Sequence, residues 1–252
     1  MDAKRRLLER LDAIGQALKA TGQALALLGL GSVGTVTDRI DEYSDLDFFA
    51  IVKPGFKSRF IKNLDWLESV RPLAYHFQNT VDGSKALYED GIFCEFAVFE
   101  PPELSGIPFS QGRIVWKEAG FDDAICIPRS HPPTEHPVEW LLGEALTNLY
   151  VGLGRFHRGE RLSATRYIQG YAVDRVVDLT KHIEAAQSFR EDSFNGERRY
   201  EQRYPDTASH LPEFIQGYDR NIESALAILA FLEGHFEVNA AMRDAIRGLC
   251  KR

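Results

Sequence analysis

Residues 30–52 read LGSVGTVTDRIDEYSDLDFFAIV, and the chain is best understood outward from them. Gly31-Ser32 is followed by twelve residues and then by Asp45-Leu46-Asp47, which opens the apolar run FFAIV. Residues i and i+2 of a strand project from one face, so Asp45 and Asp47 can share one divalent cation. Oxygen-only ligands of this kind suit Mg²⁺, which keeps several waters and bridges to phosphates. Gly31 lets a backbone approach a phosphate closely, and Ser32 offers a hydroxyl and an amide at the first turn of a helix, where unpaired N–H groups favour anions. The plainer alternative is a surface turn whose acids are merely solvated.

A second pattern overlaps the first. Gly29, Gly31 and Gly34 satisfy G-x-G-x-x-G after a strand-like run, with acids about 20 positions on, as in dinucleotide-binding units. That reading implies an NAD-dependent oxidoreductase. In such a unit, however, the ribose-binding acid follows the apolar run of the second strand. Here Asp45 and Asp47 precede it, and residues 35–44 lack the apolar stripe of a crossover helix.

Around this stretch the chain reads as two halves that meet in IPRSHPPTEHP, residues 127–137. The first, 1–130, mixes strand-like runs at 24–30, 46–53, 73–78, 91–99 and 113–117 with helical stretches at 4–20 and 56–69, an α/β (α+β) domain with a mixed sheet. The second, 131–252, carries helical periodicity at 138–157, 163–188, 209–233 and 237–250, an all-α helical bundle. The polar stretch 191–209 between two of these segments is long for a structureless loop. Composition fits a globular protein, with 44% apolar and 27% charged residues. No apolar run approaches the roughly 20 residues of a membrane span, and the charged start has no signal-peptide core, so a cytoplasmic location without membrane partners is expected. Cys94, Cys126 and Cys250 are too scattered for a disulfide framework or a thiolate metal site. A net charge of −7 offers no general attraction to long nucleic acids.

Leu30-Gly31-Ser32 and Asp45-Leu46-Asp47 resemble the signature of the nucleotidyltransferase superfamily related to DNA polymerase β: an apolar residue, Gly-Gly or Gly-Ser, about ten residues, and two acids flanking an apolar residue. The family places a third carboxylate on a later strand, and Glu95 within GIFCEFAVF is the natural candidate, ahead of Glu100 and Glu103. The resemblance implies two Mg²⁺ ions held by Asp45, Asp47 and Glu95, with ATP as co-substrate and Gly31 and Ser32 on its phosphates. AMP would pass to a hydroxyl of a small acceptor with release of pyrophosphate.

Size and layout look most like the small antibiotic nucleotidyltransferases, in which a helical bundle follows the catalytic domain and the acceptor lies between the two. A lincosamide is the first acceptor expected and an aminoglycoside the second. Glu144 fits the acid that serves some of these enzymes as general base, with Glu139 as the alternative, but Asn148 stands where they carry a lysine. Arg155 and Arg158, with Arg161 and Arg166, are candidates for neutralising the triphosphate. His131, His136, His157 and His182 lack metal-ligand spacing. The bundle is also where a homodimer would form. A non-catalytic, antitoxin-like binding module on the same fold is the runner-up, and the retained acids speak against it.

Overall fold

The computed structural model describes residues 2–128, 135–189 and 196–251. Much of the 127–137 junction, His131 included, and the start of the polar stretch 191–209 lie outside the described residues. The chain divides into two compact units, Met1–Pro132 and Pro133–Arg252.

In the first unit, helix α1 (Ala3–Ala20) places Leu7, Leu11, Ile14 and Leu18 at steps of four, three and four. That spacing puts them on one face, where they are buried. Asp2 caps the helix by accepting from the Lys4 amide at 3.4 Å. Strands β1 (Ala24–Leu30) and β2 (Leu46–Val52) follow, then helices α2 (Lys57–Lys62) and α3 (Asp65–Glu68). Strands β3 (Leu73–Gln78), β4 (Gly83–Tyr88), β5 (Phe93–Phe99) and β6 (Arg113–Lys117) complete a six-stranded sheet ordered β3-β4-β5-β2-β1-β6.

The sheet is mixed: β2 and β5 are parallel, and every other neighbouring pair is antiparallel. The direct antiparallel return of β2 onto β1 overturns the dinucleotide reading, because that unit needs parallel strands joined by a crossover helix. With it falls the NAD-dependent alternative.

Alternation along the strands sorts residues to two faces. Leu46, Phe48, Ala50 and Val52 of β2 join α1, Phe60, Trp66 and the β5 residues Cys94, Phe96 and Val98 in one core. On the opposite face Leu28, Ile51, Phe99, Leu104 and Phe109 form a second, smaller core, with Phe49 packed against it. Burial on the first face pushes the Cys94 thiol up to about 12, so it stays protonated and unreactive.

Three readings of this unit need correction. Residues 56–69 form two short helices rather than one, because Asn63 leaves helical conformation. Trp66 then donates its indole N–H to the Phe60 carbonyl at 3.2 Å, folding the second turn back on the first. Strand β5 begins at Phe93 rather than Gly91, whose φ of +83° belongs to the turn before it. Strand β4 was not foreseen at all.

The second unit is helical. Helix α4 (Val138–His157) buries Leu141, Ala145, Leu149 and Leu153 against α6 (Ala172–Leu179), α10 (Asn221–His235) and α11 (Ala240–Cys250). Helix α5 (Arg161–Arg166) runs into α6 through a π turn, Tyr167–Tyr171, and regular helix ends by His182, short of the expected 188. The 209–233 segment is also broken: α9 (Leu211–Phe214) is separated from α10 by a turn. Gln169 binds both the amide and the carbonyl of Gly217 in that turn at 2.8 Å. Helices α7 (Tyr200–Arg203) and α8 (Pro205–Ala208) lie within the polar stretch 191–209, which is long for a structureless loop. Among the described residues no helix is long and apolar enough to cross a membrane.

Candidate functional site

The β1–β2 connection supplies the first part of the site. Gly31 sits at φ +52°, a left-handed conformation that side chains resist. A Cβ there would also strike the Asp47 carboxylate. The expected helix after Gly31 is only a three-residue 3-10 turn, Gly31–Val33, ended at Gly34, whose ψ of −129° is neither helical nor extended. Ser32 is buried and its hydroxyl donates to the Asp45 carbonyl at 3.2 Å, tying the turn to the head of β2.

Register supplies the rest. Asp47 is paired with Leu30 of β1 on one side and with Glu95 of β5 on the other. Glu95 in turn faces Lys85 of β4, which faces Phe77 of β3. Directly paired residues project to the same face of a sheet, so Asp47, Glu95 and Lys85 form one row across three strands, with Asp45 two residues before Asp47. Their neighbours Leu46, Cys94 and Ala86 point into the core behind.

Lys85 is the functional candidate that sequence reasoning missed. Its ammonium lies 2.7 Å from Glu95 Oε1, with side-chain exposures of 36% and 41%. The lysine's proton is held more tightly than usual, first by the Glu95 hydrogen bond, against partial desolvation, and then by the charges of Glu95, Asp45 and Asp47. The signal available in the sequence was the pair of turn dipeptides Asp82-Gly83 and Asp90-Gly91 that bracket the strand. Among the described residues no three His, Cys, Asp or Glu side chains are gathered as a metal-holding group, and Glu95 gives its carboxylate to Lys85 instead.

The remaining candidates are placed as follows. Glu103 accepts from the Glu100 amide at 2.7 Å and pairs with Lys57, while Glu100 accepts from the Gly55 amide at 2.8 Å, so both acids hold loops together. Glu144 and Asn148 are half-buried on α4, and Glu139 is exposed near its start. Arg155 donates to Ser163 Oγ at 2.5 Å and to the Tyr167 hydroxyl at 3.3 Å, and lies 4.3 Å over the Tyr167 ring. Arg158 pairs with Glu160 at 3.1 Å and Arg161 with Asp219 at 3.2 Å. His157 meets the Leu249 carbonyl at 2.8 Å, and His136 stacks on Trp140 at 3.8 Å, so both have structural partners.

No protein-family model matches the chain, and no curated protein matches it. Among solved structures, it is similar to an aminoglycoside 6-adenyltransferase from Bacillus subtilis, at 13% identity over 96% of this chain and 90% of that one, with a TM-score of 0.36. A likeness that slight has no bearing on what this chain does.

Proposed function

We propose that the chain is a nucleotidyltransferase that moves AMP from MgATP to a hydroxyl of a small molecule. The observation that carries this reading is the row of carboxylates: Asp47 opposite Glu95 in the parallel pair, Asp45 beside them, and a glycine turn pressed against Asp47. The residues fit a divalent cation by their chemistry, since the donors are all oxygens and Glu95 already binds a cation, the Lys85 ammonium, at 2.7 Å. Asp45 and Asp47 would hold the metal, with Glu95 joining them once it gives up Lys85. When bound, Mg²⁺ supplies charge neutralisation at the phosphoryl oxygens.

The chain's own contribution is positioning and a proton acceptor. Gly31, having no side chain, lets the turn lie directly against the Asp47 carboxylate, and the Ser32 bond to the Asp45 carbonyl keeps turn and carboxylates in fixed relation. In the transfer, the acceptor oxygen forms a bond to the α-phosphorus while the α–β P–O bond breaks. Pyrophosphate leaves with that electron pair, and the hydroxyl proton passes to a carboxylate, for which Glu144 is the candidate. Arg155 and Arg158 would have to leave their present partners to reach a triphosphate.

The test is magnesium-dependent pyrophosphate release across a panel of hydroxylated antibiotics, lincosamides first and aminoglycosides second. Release is expected with at least one acceptor for the unmodified chain and is expected to be lost in Asp47→Asn. MgATP binding without release on any acceptor would sink the enzyme reading in favour of a nucleotide-binding regulatory module.

A further inference from the structure

Lys85 belongs to no pattern that the sequence suggested, yet it closes the end of the carboxylate row, directly beside Glu95. Its backbone is fixed on both sides, by Glu95 of β5 and by Phe77 of β3. Its ammonium is not fixed in the same way. It stands on a flexible four-carbon stem, is partly open to solvent, and is a point charge with no need of a planar, two-pronged partner. It can therefore exchange one oxyanion for another while the sheet stays still.

We propose that Lys85 is the resident counter-cation of Glu95, released from it when a divalent cation arrives at the carboxylate row with its nucleotide and then paired with the nucleotide's phosphate oxygens. This rests on the nucleotidyltransferase reading. Asp47 and Glu95 are carboxylates paired side by side on one sheet face, and the Lys85 ammonium, 2.7 Å from Glu95, eases their repulsion. A bare metal ion must displace that ammonium and then share the site with it. A metal carrying a polyphosphate brings the negative charge to which the displaced ammonium can turn, so the two arrive more favourably together. Lys85 thus acts as a positioning residue that makes metal entry depend on nucleotide.

The experiment titrates Mn²⁺ into the full chain by the loss of its free-ion paramagnetic resonance signal, alone and with a non-hydrolysable ATP analogue, for the unmodified protein and Lys85→Met. Removal of the competing charge is expected to tighten Mn²⁺ alone by about tenfold and to weaken binding of the Mn²⁺–nucleotide complex by about tenfold, the scale of one screened charge contact. Lys85→Arg, which keeps the charge, should stay near the unmodified protein in both titrations. Should Lys85→Met not fold, Lys85→Gln takes its place. A cross-strand pair with only a structural role would not move the two affinities in opposite directions, so unchanged affinities, or two shifts of the same sign, overturn the proposal. A folded, unmodified chain that binds neither Mn²⁺ nor the complex overturns the nucleotidyltransferase reading, and this inference falls with it.

Discussion

Gly31 is the residue on which the turn and the carboxylates both depend. Any side chain there meets two obstacles, a φ of +52° and the Asp47 carboxylate. Gly31→Ala is therefore expected to destabilise the fold by about 1–3 kcal/mol, measured by urea denaturation, and to weaken metal–nucleotide binding by displacing Asp47. Stability and binding both equal to the unmodified protein would show that the turn relaxes freely. At this scale much was legible. Gly31, Ser32, Asp45 and Asp47 announce themselves by spacing within one short stretch, and Glu95 by being an acid between apolar neighbours. Lys85 was not legible, because a lysine between serine and alanine carries no pattern of its own. Only the pairing of β4 with β5 gives it a partner, Glu95.

The strands that could be read are those with dense apolar character, such as FFAIV in β2. Strand β4, GSKALY, begins with a glycine, a serine and a lysine, which are poor strand formers, and it is a strand because β3 and β5 pair with it on both sides. The helix–turn contact beside it is anchored by Asp90. Its carboxylate takes the Arg10 guanidinium at 2.7 Å, with Arg71 at 3.5 Å, while its carbonyl accepts from Arg6 at 2.7 Å, so helix α1 is clipped to the β4–β5 turn. Burial pushes this carboxyl up, but the two arginines and the Ile92 amide outweigh it and hold its pKa below the usual 3.8. A depressed folded pKa means that the unfolded chain takes up the proton first as pH falls. The clip's stabilisation is thus complete above about pH 4 and is lost as pH falls through the folded value. Asp90→Asn should lower stability at pH 7 by about 1.5–3 kcal/mol, the range for a hydrogen bond to a charged group, and should flatten the acid limb of the stability profile. Equal acid limbs in thermal melts of the two proteins would remove Asp90 from that role.

Each unit of the molecule has a core of its own: two apolar layers on either face of the sheet in the first, and the α4, α6, α10 and α11 seam in the second. The change of periodicity between the halves was readable because a sheet and a bundle impose different repeats. The breaks inside the bundle were not, because they are set by long-range polar contacts. The Gln169–Gly217 pair, for example, joins residues 48 apart in sequence. The carboxylate row, the glycine turn and Lys85 belong to the sheet unit, whereas Glu144 belongs to α4. Nucleotide binding and proton removal should then separate by mutation. Glu144→Gln is expected to leave metal–nucleotide affinity unchanged and to lower turnover at saturating acceptor by about 10²- to 10⁴-fold, the usual contribution of a positioned general base. The measurement is kcat for pyrophosphate release across a pH series, beside nucleotide affinity from the Mn²⁺ titration. Full turnover in Glu144→Gln at every pH would pass the proton to Glu139 or Glu95. A fall in nucleotide affinity equal to the fall in turnover would instead make Glu144 a residue that shapes the nucleotide site and not one that takes the acceptor's proton.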